Sequence, residues 1–204
     1  PTVLDRDTIF YQFDQSLGFW GIPSVERLVV YGGEQSVQYN VRHNEYGVRD
    51  ISYRDKNFKN PIIALGGSNT WGSAVEESVR FTNVLQRAIR KPVLNFGHNS
   101  FGLDQVALTL LTKTEEFHPS VVLVEQYPWA LHRVLSHFVN GYAKPYFSLR
   151  DDGSLKFYKV PKLARLKLYR KILGSYRVYK KQLMEFQSGI DLATAYDPLT
   201  DPIF

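Results

Sequence analysis

Residues 66–72 read GGSNTWG and follow the unbroken apolar run Ile62–Leu65. A serine at the exit of a buried strand, with glycines beside it, is a candidate for nucleophilic catalysis. The same residues also suit a plain turn or helix cap. Other chemistries are narrower. The chain has no cysteine, which excludes thiolate catalysis, disulfides and cysteine metal sites. Its five histidines, His43, His98, His118, His132 and His137, form no short metal-ligand motif. Neither a metal nor a cofactor is expected.

The elements that must position Ser68 are legible from Pro61 onward. PIIAL, PVLNF and SVVLVE are continuous apolar runs, as in parallel strands covered on both faces. Pro61, Pro92 and Pro119 open or precede them, where a missing N–H is tolerated. Between the runs, Phe81, Val84, Leu85, Ala88 and Ile89 recur at helical spacing, and so do Leu103, Val106, Ala107, Leu110 and Leu111. Strand, helix, strand, helix, strand predicts an α/β fold with an open parallel sheet, whose ligands sit beyond the carboxyl ends of the strands. Ser68, Gly97–Gly102 and Glu125–Trp129 all fall at those ends. Three loops are therefore expected on one rim.

The flanks are less regular. Residues 1–60 are rich in aromatics with weak periodicity, and read as an N-terminal extension packed on the core at 61–135. YNVRHNEYGVRD reads as an irregular or extended segment turning at Gly47. Residues 136–204 read as part of the same domain: a hairpin turning at Asp152 and Gly153, a basic amphipathic helical stretch interrupted at Gly174, and a C-terminal loop.

Charge narrows the function classes. The 204 residues are 44% hydrophobic and 22% charged, the composition of a globular domain. The net charge is +5, yet residues 156–181 hold ten Lys or Arg and no acid, so the remainder is net acidic. That pattern, without a recognisable binding motif, argues against a nucleic-acid binder. Leu163, Leu166, Tyr169, Ile172, Leu173 and Tyr176 form an apolar stripe among those cations, a composition suited to an anionic membrane surface. The competing reading is a helix packed on its own domain with a solvated basic face. No apolar run approaches the roughly 18–20 residues of a membrane span.

Taken in order, these blocks resemble the SGNH (GDSL-like) hydrolase superfamily. Its nucleophile block reads Gly-Asp/Gly-Ser-x-Thr-x-Gly, matched here by Gly66, Gly67, Ser68, Thr70 and Gly72. Its second block, Asn-x-Gly-x-x-Gly, is similar to NFGHNSFG at Asn95–Gly102. HNEYGVRD and KPYFSLRDDGSLKFYKVP resemble segments of a bacterial branch of the superfamily. The resemblance implies a flavodoxin-like three-layer αβα fold and a serine ester hydrolase or acyl transferase. The implied substrate is an acyl or acetyl ester of a small molecule, glycan or lipid, met outside the cytoplasm or at a membrane of a bacterium. Ser68 would be the nucleophile. The backbone N–H groups of Ser68 and Ser100, with Gly97 as a further candidate, would form the oxyanion hole. Asn69, Asn99 and Trp129 would line the pocket. Ser100 stands where the family usually has glycine, and any non-proline residue can still donate its amide.

Two departures weigh against full activity. The family's third block carries Gly-x-Asn-Asp, and Trp129 stands at the asparagine position, either as an indole donor or as a packing residue. No Asp-x-x-His follows to supply the general base that a serine needs; Asp201 and Phe204 match it only by coincidence. His98 is a candidate substitute, against the plainer reading of an exposed loop histidine. Only three strands are visible where such sheets usually need five. The remaining strands and the histidine are expected from a continuation of the chain or a second docked segment. The alternative function is a catalytically degraded SGNH-like domain serving as a binding or assembly module.

Overall fold

The computed structural model describes residues 10–31, 36–54, 56–127, 129–139 and 142–160. The basic stripe between Leu163 and Tyr176, Gly174 and the C-terminal loop lie outside these residues.

The three apolar runs form β5 (Ile62–Leu65), β6 (Val93–Asn95) and β7 (Val121–Val124) of one parallel sheet, ordered β6-β5-β7. The described residues form a mixed α/β fold: this small sheet is accompanied by several antiparallel hairpins, and among those residues it is not a full flavodoxin-like sheet. Central β5 is fully buried at Ile63, Ala64 and Leu65, as its continuous apolar run requires. Edge strand β7 is different. Val121 and Val124 are 46% and 48% exposed, so its expected two-sided cover is incomplete.

After β5 come the short α1 (Ser68–Trp71) and then α2 (Phe81–Ile89), while α3 (Leu103–Lys113) links β6 to β7. Both longer helices occur where the spacing predicts them; α2 leaves most of its expected apolar face exposed, while α3 packs Leu103, Val106 and Leu110 of its expected face against the core and shares that face with polar residues. On α2, Phe81, Val84 and Ile89 are exposed and Thr82 is buried. On α3, Leu111 and Ala107 face outward, while Asp104, Gln105, Val106, Leu108 and Thr109 are buried. Polar residues can take that face because each finds a partner there. Gln105 Nε2 donates to Leu17 O (2.7 Å), Thr109 Oγ1 donates to Gln105 O (2.8 Å), and Asp104 pairs with Lys144.

The weakly periodic N-terminal region forms two antiparallel hairpins: β1 (Tyr11–Asp14) with β2 (Gly18–Gly21), and β3 (Glu26–Tyr31) with β4 (Val37–Arg42). Tyr11, Leu17, Phe19, Trp20, Tyr39 and Val41 from these hairpins join Ile63, Leu65, Leu94 and Phe96 in one core. The turn at Gly47 is present (φ +76°). Asn44 closes it, its Oδ1 accepting the N–H groups of Tyr46 and Val48. Beyond β7 lie α4 (Trp129–Val134) and the two-residue strands β8 (Phe138–Val139) and β9 (Tyr142–Ala143). The expected last hairpin follows as β10 (Tyr146–Leu149) and β11 (Leu155–Tyr158), turning at Asp152 and Gly153.

His43 and His98 are both enclosed by the N-terminal hairpins. Burial pushes His43 from its ordinary 6.5 to about 4, with the nearby Arg49 charge adding to the effect. Burial, and then the neighbouring His43, hold His98 well below its ordinary value. Both rings are therefore neutral when folded and gain a proton only on unfolding. The His43 contribution is complete above pH 6.5 and is lost as pH falls toward about 4, and the His98 contribution is lost in the same direction. Equilibrium urea unfolding should show stability decreasing across that window by up to about 1.4 kcal/mol per pH unit for each ring. A flat profile from pH 7 to pH 5 would contradict the neutral assignment.

Candidate functional site

The register of the sheet brings the carboxyl ends of β5, β6 and β7 to one rim. Because β6 and β7 flank β5 on opposite sides, the chain reverses its direction of winding there, the place where open α/β sheets form a crevice. Ser68 begins α1 directly beyond β5 and is half-buried. Among the described residues, neither its hydroxyl nor its backbone N–H makes a hydrogen bond.

Every neighbour of Ser68 is held. From the end of β7, the Glu125 carboxylate accepts from Gly67 N (2.9 Å), Thr70 Oγ1 (3.0 Å) and Asn69 Nδ2 (3.4 Å). From the end of β6, buried Asn95 donates through Nδ2 to Thr70 O (2.6 Å) and accepts from Gly97 N at Oδ1 (2.8 Å). Ser73 Oγ donates to Asn99 Oδ1 (2.7 Å), joining the first and second loops again. Gly97 is required by close approach: a Cβ there would lie 2.5 Å from Trp71 N and 2.6 Å from Thr70 Cβ. The three loops expected on one rim are thus bonded to one another.

The HNEYGVRD segment grips the far side of this loop. Arg49 donates to Asn40 O (2.7 Å), Val75 O (2.8 Å), Trp71 O (3.4 Å) and Gly72 O, with its guanidinium 4.9 Å from the Trp71 ring centre. Asp50 accepts from Arg80 Nη2 (3.0 Å), Tyr53 Oη (2.6 Å) and Asn95 N (2.9 Å).

The other sequence candidates are placed as follows. Asn69 is exposed at the rim, and Asn99 is half-buried and bonded to Ser73. The Gly97 N–H is given to Asn95 and so is not directed at the rim as a donor. Trp129 is the first residue of α4, beside the rim in sequence. His98 is neither exposed nor near-surface: it is 0% exposed and stacked 4.0 Å from Trp20. Its Nε2 accepts the N–H of Gly21 (3.1 Å). That bond and the low proton affinity place His98 in the aromatic core rather than beside Ser68. Sequence reasoning passed over Glu125, Asn95, Arg49 and Asp50 as site-building residues. The available signal was polarity out of place, an acid ending SVVLVE and an asparagine ending the strand VLN.

Compared with known proteins, the chain matches no protein-family model and no curated relative.

Ser100 has a left-handed backbone, φ +66°, where an L side chain costs about 1–2 kcal/mol. Ser100→Gly should raise stability by about 1 kcal/mol in urea melts. Gly97→Ala should lower it by about 2 kcal/mol or more through overlap with Trp71 and Thr70. Equal and small effects of both changes would refute the described loop contact.

Proposed function

We propose that the protein is an SGNH-type serine ester hydrolase or acyl transferase acting through Ser68. The observation that carries this reading is the isolation of Ser68. In a loop whose Gly67 amide and Asn69, Thr70 and Ser73 side chains are tied down, its hydroxyl and amide make no hydrogen bond among the described residues. Attack by that hydroxyl on an ester carbonyl would place the new negative charge against the Ser68 amide, with Ser100 as the second-loop donor on the family pattern. The substrate class is an acyl or acetyl ester of a small molecule, glycan or lipid.

On this reading the strand order β6-β5-β7 is the first part of a flavodoxin-like sheet, and the half-exposed β7 edge is where further strands would add. The general base and those strands then lie outside the described residues.

A second reading, a catalytically degraded domain that binds rather than turns over its ligand, is favoured by two features. No histidine hydrogen-bonds Ser68 among the described residues, and a tryptophan stands at the family's asparagine position.

A biotinylated fluorophosphonate applied to the full-length protein should label Ser68, and Ser68→Ala should abolish both labelling and hydrolysis of p-nitrophenyl acetate. A folded, unlabelled protein without esterase activity would instead establish the binding-module reading.

A further inference from the structure

We infer that Arg133 is the side-chain donor of the oxyanion hole, in the role for which the asparagine is missing. This rests on the reading of Ser68 as the nucleophile and adds the residue that stabilises charge on the attacked oxygen. Arg133 lies on α4 four residues beyond Trp129, one helical turn further along. Its guanidinium returns to the rim between the two loops that carry the backbone donors. Nη1 donates to Phe101 O (3.2 Å), the residue after Ser100, and stands 3.6 Å from the position a Cβ on Gly67 would occupy, the residue before Ser68. Nη2 donates to Tyr127 Oη (3.1 Å), with the Tyr127 ring centre 5.9 Å from the guanidinium carbon.

The fold holds this residue closely. A Cβ on Gly102 would lie 2.9 Å from Arg133 Cβ, so the final glycine of NFGHNSFG lets α4 approach the second loop. Behind it, Lys144 is completely buried and donates to Arg133 O (2.8 Å), Ser136 O (3.1 Å) and the Asp104 carboxylate. A buried cation is thus used to fix the backbone at Arg133. Arg133 is half-buried and forms no ion pair among the described residues. Of the five N–H donors of a guanidinium, two are engaged there, so donors remain for a substrate oxygen.

The chemistry follows from that placement. Attack joins Ser68 Oγ to the carbonyl carbon and moves the C=O π pair onto oxygen, while the hydroxyl proton passes to the general base that the Ser68 reading requires. Collapse re-forms C=O and expels the alcohol, which takes that proton. A fixed guanidinium interacts most strongly with the oxygen while it is charged, so it lowers the barrier more than it tightens substrate binding.

Fluorophosphonate labelling tests this, because bond formation from Ser68 Oγ to phosphorus, with loss of fluoride, places developing charge on the phosphoryl oxygen. In the full-length protein, Arg133→Gln should slow Ser68 labelling and lower kcat on p-nitrophenyl acetate by about 10²–10³, with KM changed only a few-fold. Arg133→Lys, which keeps a cation, should recover part of the rate, and added methylguanidinium should partly rescue Arg133→Ala. Urea melts identify any variant that has lost its fold, and Arg133→Lys then carries the comparison. Labelling of Arg133→Gln at the unmutated rate overturns the inference and leaves Ser68 as nucleophile. A rise in KM confined to anionic esters also overturns it, making Arg133 a substrate clamp. Absence of labelling in the folded, unmutated protein removes the Ser68 reading, and Arg133 falls with it.

Discussion

The Asp50 side chain is 5% exposed, and the rest of the rim depends on how its charge is met. A buried carboxylate must be fully paired and hydrogen-bonded, because the interior offers no water to replace a missing partner. Asp50 meets that demand with Arg80 from the start of α2, Tyr53 from its own segment and the backbone of Asn95 at the end of β6. These partners come from three separate parts of the chain. Holding them at one carboxylate aligns the N-terminal segment, the helix after the candidate nucleophile and the second rim loop.

From that anchor the order spreads outward by hydrogen bonds rather than by apolar contact. Asn95, fixed through its amide, spends its side chain on Thr70 and Gly97. Arg49, next to Asp50, holds the carbonyls beyond α1. Glu125 closes the rim from the opposite strand. A short loop held at Gly67, Asn69, Thr70 and Ser73 has little freedom left, so the Ser68 hydroxyl is presented in a defined place, and it makes no hydrogen bond among the described residues. On the proposed function, such preorganisation would suit a nucleophile loop.

A second buried charge pair serves the other side. Burial raises Asp104 and lowers Lys144 from their ordinary values, opposing both charges; each offsets that cost for the other, and the Arg133 and Ser136 carbonyls accept the remaining Lys144 N–H groups. The pair joins α3 to the segment after α4. Its placement explains why α3 turns acidic and amide side chains inward and leaves Leu111 outside.

Periodicity and local chemistry determined a good deal. Continuous apolar runs of four or five residues identified β5, β6 and β7, helical spacing located α2 and α3, and Asp152 with Gly153 located the last hairpin. The position of Ser68 at a strand exit was readable for the same reason, since a period and a turn residue are local properties. That α2 leaves its apolar residues exposed, and that polar residues share the buried face of α3, was not readable. The latter depends on partners such as Leu17 and Lys144, 88 and 40 residues away, that convert a polar face into a satisfied interior. His98 is the clearest case: its loop position indicated exposure, and only the N-terminal hairpins, arriving with Trp20 and the Gly21 amide, make it a neutral core residue. The aromatic hairpins themselves lacked a periodic signal because their strands are short and several of their residues are buried on both faces. Local pattern thus determined the elements and the candidate serine. Tertiary pairing of buried polar groups decided which residues surround it.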